Sequence, residues 1–195
     1  MGKKLKRLIF SDILVDSTPT KRVAYIGIMA ALCIVENTFF EFPIGVAQFS
    51  LSIFISMLTG YIIGPIFGAT AAFTGDLVAF IYSPKPMNTY TPWVGVSLAV
   101  AAVIAGLVLS NVNIERKLDL YVKLAIASIA TFCVCTVCIT TTALWLLWYN
   151  YMTYPEFIIF RFFANGQIYN SLFNYAVLFI TFPTFMSLKK RLTKK

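Results

Sequence analysis

Four polar residues near the C-terminus share one side of a helix. Asn170, Ser171 and Asn174 stand at +3, +4 and +7 from Gln167, the spacing that stacks side chains over successive helical turns. Amides and hydroxyls in this pattern suit hydrogen-bond reading of a heterocycle. They suit equally well the polar bonds that join one membrane helix to the next. Ionisable groups extend the set. Asp76 falls inside an apolar run and Glu36 near the end of another, and Lys85 and Arg161 are the cations nearest the same end. A carboxylate within lipid marks a functional site by default. The plainer alternative is an ion pair of Arg161 with Asp76 or Glu36 that ties loops to the bundle. A free guanidinium or ammonium there would pair with the carboxylates of a ligand. Trp93, Trp145 and Trp148 collect at this end, with Tyr90, Tyr149, Tyr151, Tyr154 and Tyr169. They form either an interfacial belt or a stacking surface for a planar ligand.

Catalysis has little to work with. Histidine, the commonest general base, is absent. No GxxxxGK[ST] loop is present to cradle a nucleotide phosphate. Cys133, Cys135 and Cys138 spell CxCxxC, but offsets of two and five do not share an α-helical face. These three and Cys33 are expected to be buried, inert thiols. No enzyme activity, metal or cofactor is expected.

The elements that carry these residues must be membrane helices. The chain of 195 residues is 59% apolar and 12% charged, against about 25% charged in soluble domains. Uncharged stretches recur, as spanning helices of about 20 residues require, and the alternating segments of a barrel are missing. Pro and Gly positions divide the chain into a single transmembrane domain of six spans, at about 21–37, 48–63, 65–82, 93–109, 121–148 and 165–188. The third boundary rests on arithmetic: residues 49–82 would make about 51 Å of helix in a core of about 30 Å, so Gly64-Pro65 should be a turn. Six spans put both termini on one side, with basic residues 3, 4, 6, 7, 21, 22, 116, 117, 123, 189, 190, 191, 194 and 195, or 14 of the 16. That side is expected to be cytoplasmic. The net charge of +8 therefore flanks membrane spans and contacts lipid; it does not imply a nucleic-acid partner. Residues 3–16 are expected to form a short amphipathic segment on the inner membrane surface.

Small residues offer helix contacts. Gly60, Gly64, Gly68, Ala72 and Asp76 step by four, broken at Gly64-Pro65, and the first span carries Ala24, Gly27 and Ala31. They serve packing within the chain or docking of another membrane subunit against span one.

The chain resembles the substrate-binding S components of energy-coupling-factor (ECF) vitamin transporters, folate group. The resemblance rests on Lys21-Arg22 before a small-residue first span and on Gly60-Tyr61-Ile62-Ile63-Gly64-Pro65-Ile66-Phe67-Gly68 followed by Gly75-Asp76-Leu77. It rests further on the Pro-containing aromatic loop 83–93 before Gly95-Val96-Ser97-Leu98, and on Arg161 ahead of a final span with Gln167 and a basic tail. The resemblance implies six helices, an outward vitamin pocket capped by loops, and a separate transmembrane coupling subunit docked on Gly27 and Ala31. Two ATPase subunits would supply the energy. It makes Tyr90, Trp93, Arg161 and Gln167 site candidates. Two departures, Thr91-Pro92-Trp93-Val94-Gly95 before span four and Asn170-Ser171 early in span six, lie near the expected ligand.

The resulting expectation is a multi-pass protein of the bacterial plasma membrane that captures a vitamin, with folate leading. Glu36, Asp76, Lys85, Tyr90, Trp93, Trp145, Arg161, Gln167, Asn170 and Asn174 are the site candidates. Asn170, Gln167 and Asp76 would read the ring, Trp93 or Trp145 would stack on it, and Arg161 or Lys85 would hold carboxylates. Pantothenate or a queuosine precursor is the alternative ligand. A ligand-free membrane scaffold is the alternative of another class.

Overall fold

Proline and glycine decide where this chain turns. The computed structural model describes residues 10–15, 17–44, 47–82, 90–109 and 117–193. Helix α1 (Asp12–Val15) precedes α2 (Pro19–Phe39), which starts on a proline whose missing N–H has no helical partner at that position. An antiparallel hairpin follows, β1 (Phe42–Ile44) with β2 (Ala47–Phe49), pairing Phe42 with Phe49 and Ile44 with Ala47. Next come α3 (Ser52–Ile63), α4 (Pro65–Tyr82) and α5 (Pro92–Leu109). One long rod then runs through α6 (Lys117–Thr131), a π-helical stretch (Phe132–Thr141) and α7 (Thr142–Trp148). Finally α8 (Tyr154–Ile159) passes through a π-helical turn (Phe160–Ala164) into α9 (Gln167–Thr193), which continues past Pro183.

Among the described residues, four helical segments are long and apolar enough to cross a membrane: α2, α4, α5 and the rod over Leu118–Trp148. The class expected from composition, an all-helical membrane protein, is therefore the observed one, with the hairpin as its one non-helical addition among the described residues. The hairpin corrects the expected start of the second helix. Residues 47–49 pair as a strand, and the helix begins at Ser52 because the Glu36 carboxylate accepts the Leu51 N–H at 2.7 Å.

The turn at Gly64-Pro65 lies where helix length required it. Gly64 has φ 104°, a backbone conformation closed to most side chains. The turn folds the glycine ladder back on itself. A Cβ on Gly68 would lie 2.6 Å from Gly60 Cα, and one on Gly60 would collide with the Ala102 carbonyl oxygen. The ladder thus packs α3 against α4 and α5, with Ala101, Ala102 and Ala105 fully buried, through the close backbone approach that substitutes for a hydrophobic driving force in lipid.

The N-terminal segment departs from the expectation of a surface helix. Its described part is docked on the bundle. Leu14 is fully buried, Ser11 hydrogen-bonds the Ile62 and Ile63 carbonyls at the end of α3, and Phe10 stacks on Phe67 at 4.9 Å. Arg22 holds it there, donating to the Leu14 and Val15 carbonyls at 2.7 and 2.8 Å. The carbonyls at the end of a four-residue helix need such a donor.

Candidate functional site

The polar residues of α9 divide into a structural pair and an open pair. Asn174 is fully buried and fully used. Its Oδ1 accepts the Phe54 N–H at 2.9 Å, and its Nδ2 donates to the Ser50 and Asn170 carbonyls at 2.6 and 2.9 Å. Asn170 Oδ1 accepts the Ser50 N–H at 3.1 Å, while Asn170 Nδ2 takes part in none of these bonds. Both asparagines therefore clasp the strand leaving β2, and only Asn170 keeps an amide hydrogen-bond donor to offer a ligand. Glu36 belongs to the same clasp. It is buried and accepts from Leu51 N and from Ser52 Oγ at 3.3 Å, at the N-terminus of α3 where a negative charge is favoured. Asn37 Oδ1 accepts from Ser52 Oγ at 2.9 Å beside it.

Gln167 forms the open pair with Arg161. The π-helical turn and Gly166, at φ 67°, bring the chain back tightly enough for Arg161 Nη2 to donate to Gln167 Oε1 at 3.2 Å. Gln167 Nε2 reaches Ser171 Oγ at 3.4 Å, which fixes the amide with its oxygen toward the arginine. Arg161 Nε is shielded from solvent without a partner, and no carboxylate pairs with Arg161 among the described residues. Neither ion pair weighed from the sequence, with Asp76 or with Glu36, forms. Burial lowers the guanidinium pKa to about 10, so the group keeps its charge at neutral pH. An acidic neighbour in sequence is engaged elsewhere: Glu156 caps α8 by accepting from Thr153 N and Oγ1 at 3.0 and 2.8 Å.

Asp76 sits apart from this pair, buried between α4 and α5. Tyr90 donates to its Oδ2 at 3.0 Å, and a Cβ on Gly95 would lie 3.0 Å from both oxygens. Burial, then the Asp76 charge, raises the Tyr90 pKa, so the phenol stays the donor. Trp93 is half exposed on the first turn of α5. Trp145 is already occupied: its Nε1 donates to the Met152 carbonyl at 2.9 Å and its ring meets Tyr154 edge-on at 5.2 Å. Tyr149 stacks on Phe157 at 4.7 Å. Much of the aromatic end is therefore self-packed. Lys85 lies outside the described residues.

The chain matches the family model of the ECF-type riboflavin transporter, S component, over residues 17–189. The chain belongs to this family. Its fold is that of a solved structure described as FolT bound with folic acid, at 17% identity, 87% of this chain and 94% of that one, with a TM-score of 0.64. A structure described as the S component of a bacterial ECF transporter is also similar, at 22% identity over 91% of this chain and 98% of that one, with a TM-score of 0.47. No curated protein sequence matches. The protein is thus the substrate-binding component of an ECF-type transporter, a membrane protein that works with other transporter subunits, as the sequence resemblance implied.

The long rod of this S component holds what the sequence reading missed. In a π-helix the backbone bonds join residues five apart, so the pitch of side chains changes. Thr140 and Thr141 hydroxyls donate to carbonyls five residues back, Cys135 at 2.9 Å and Thr136 at 2.6 Å. Ser97 of α5 donates to the same Cys135 carbonyl at 3.1 Å. The π pitch also corrects the cysteine reading. Residues five apart now share a side, and Cys133 and Cys138 both face outward, while Cys33 and Cys135 are buried as expected. No group of three His, Cys, Asp or Glu converges among the described residues. A row of buried hydroxyls, Ser128, Thr131 and Thr136, lines the inner side of the rod. The spacing Ser128, Thr131, Cys135 was the available signal, at offsets of three and seven.

Proposed function

We propose that this S component captures folate from outside the cell for uptake powered by other chains. The observation that carries the ligand is Arg161. A partly buried cation whose Nε is shielded from solvent and whose described partner is one amide oxygen gains from an anion that joins it. Folate brings carboxylates, and a carboxylate on a guanidinium makes a strong, charge-assisted contact. Gln167 and the free Asn170 Nδ2 lie on the same stripe of α9 to read the rest of the ligand, and in this reading Asp76, Tyr90 and Trp93 would contribute from the separate α4–α5 side. Riboflavin is the second reading, favoured by the family match. Its uncharged tail would leave Arg161 without a counter-ion.

The membrane frame of this proposal is six spans with both termini in the cytoplasm of a bacterium, because that arrangement puts 14 of 16 basic residues on the inner side. The docking surface for a coupling subunit is α2. Ala24, Gly27 and Ala31 are exposed, and a Cβ on Gly27 would meet nothing within 4 Å. The coupling subunit and two ATPase subunits are separate chains in this reading.

Titration of purified protein with folic acid and with riboflavin tests the ligand. Tighter binding of folic acid is expected, and Arg161→Ala should weaken folic acid by about 10- to 100-fold, the worth of a hydrogen bond to a charged group. Equal losses for folic acid and riboflavin would remove the charge-pairing role. Binding of riboflavin alone would move the assignment to the second reading.

A further inference from the structure

The N-terminus of α3 is capped from outside. A helix leaves its first N–H groups without partners, and Leu51, which precedes the first turn, has no side-chain oxygen to offer. Two other helices supply the acceptors. Glu36 Oε1 of α2 accepts the Leu51 N–H at 2.7 Å. Asn170 Oδ1 of α9 accepts the Ser50 N–H at 3.1 Å, and Asn174 Oδ1 accepts the Phe54 N–H at 2.9 Å. Asn174 Nδ2 returns a bond to the Ser50 carbonyl. The Ser52 hydroxyl donates to Asn37 Oδ1 of α2 at 2.9 Å, with Glu36 Oε1 at 3.3 Å. Residues 50–54 are therefore held between α2 and α9 by side chains of both.

The two helices meet different demands. α9 carries Gln167 and the open Asn170 Nδ2. α2 has two faces. Met29, Cys33, Glu36 and Asn37 are buried on one, and Ala24, Gly27 and Ala31 are exposed on the other. Its middle is clamped on α4, since a Cβ on Gly75 would lie 2.6 Å from Cys33 Cβ. One turn further along, Glu36 and Asn37 tie the end of α2 to the cap. Helix ends fray more readily than close-packed interiors open, so the cap is the contact in this series that can let go.

We propose that this shared cap couples ligand occupancy on α9 to the position of the end of α2, with Glu36 as the positioning residue. The inference rests on the vitamin-capture reading above and on its docking face on α2. Asn170 is the member common to both tasks. A ligand acceptor that takes a hydrogen bond from Nδ2 fixes the amide, and the same rigid group then holds Oδ1 on the Ser50 N–H. Ligand therefore binds the closed cap more tightly than the open one, and the closed cap holds α2 through Glu36. A coupling subunit that docks on the held form of α2 binds the loaded carrier more tightly, and by linkage strengthens the ligand by the same factor.

The test uses the full chain in detergent, with folic acid and riboflavin as probes, and reads hydrogen exchange by mass spectrometry. With the bound probe at about 100 times its Kd, exchange through opening of the cap should slow by up to about 100-fold. The slowing is expected over residues 50–54 and over residues 33–40 of α2. Glu36→Ala should keep the ligand-dependent slowing over 167–174 and lose it over 33–40. Glu36→Gln retains an oxygen for the Leu51 N–H and should restore it. A purely structural Glu36 would lower ligand-free protection alike in all states and leave the ligand-dependent difference in place. Ser52→Ala is the milder cut, and should reduce the slowing over 33–40 where Glu36→Ala gives no folded protein. Binding without slowing over 33–40 in the parent overturns the coupling and leaves vitamin capture standing. Slowing of parent size over 33–40 in Glu36→Ala, or in Ser52→Ala where that variant has to decide, overturns the route through the cap. A parent that binds neither probe overturns the coupling and the capture reading together.

Discussion

Between α3, α4 and α5 the backbones touch. Gly68 lies on Gly60, Gly60 on the Ala102 carbonyl, and a Cβ on Gly106 would come within 2.9 Å of Pro65 Cα. Across the bundle, apolar contacts such as Tyr61 on Phe182 are joined by polar ones: Ser97 on the Cys135 carbonyl, Arg161 on Gln167, and Asn174 on Ser50. The first kind of contact is dispersion between closely fitted surfaces and leaves no space. In the second kind, hydrogen bonds can be exchanged for a ligand's. A carrier needs both, a rigid half to present to its partner subunits and a half able to change partners.

The largest expected effect comes from breaking the close-packed half. Gly60→Leu would drive a side chain into the α5 backbone, which has no flexible end to yield. The variant should fail to give monodisperse protein by size exclusion. Gly27→Leu is the matched contrast. Its Cβ meets nothing, so the protein should fold with an unchanged thermal midpoint and lose assembly with a coupling subunit. Comparable yields of the two variants would dissolve the distinction between the halves.

Next in size is the clasp. Asn174→Leu strips partners from the Phe54 N–H and the Ser50 carbonyl. It should destabilise the protein by about 2–6 kcal/mol, at about 1–3 kcal/mol for each of the two groups left unmet, read as a lower thermal midpoint without ligand. Arg161→Met should act in the opposite sense. It removes a partly buried charge that has no counter-ion among the described residues, so the ligand-free protein should be as stable as the parent or more so, while folic acid binding falls by about 10- to 100-fold. Loss of stability in Arg161→Met would make Arg161 part of the scaffold and shrink the exchangeable half.

The close-packed half was the more legible in sequence. Apolar runs, the Gly64-Pro65 turn and the four-residue ladder are periodic signals, and each has one physical consequence. The polar half was legible only as positions. Gln167, Asn170, Ser171 and Asn174 share a face as the spacing required, but spacing does not say which amide is satisfied internally. Asn174 turned out fully engaged because a hairpin places Ser50 beside it, a contact spanning more than a hundred residues. The π-helical stretch left no signal in the pattern, because its pitch is set by tertiary packing and by Thr140 and Thr141 bonding five residues back. The outward Cys133 and Cys138 follow from that pitch.

The smallest expected effect lies where neither close packing nor burial is at stake. Glu156 is exposed at the start of α8, and hydrogen bonds from the Thr153 hydroxyl and N–H lower its pKa. A carboxylate with a depressed folded-state pKa adds stability above its unfolded value, near 4.3, and loses it as pH falls through the folded value. Protection of the Phe157 amide, which donates to the Thr153 carbonyl at 3.0 Å, should therefore weaken as pH falls through that window. The readout is hydrogen exchange by mass spectrometry over residues 153–159. Glu156→Gln can still accept from Thr153, so its protection should lack that pH step when compared at matched pH. A step of equal size in Glu156→Gln would place the titrating group elsewhere. A loss of vitamin binding in step with it would show that α8 belongs to the exchangeable half and does more than connect the long rod to α9.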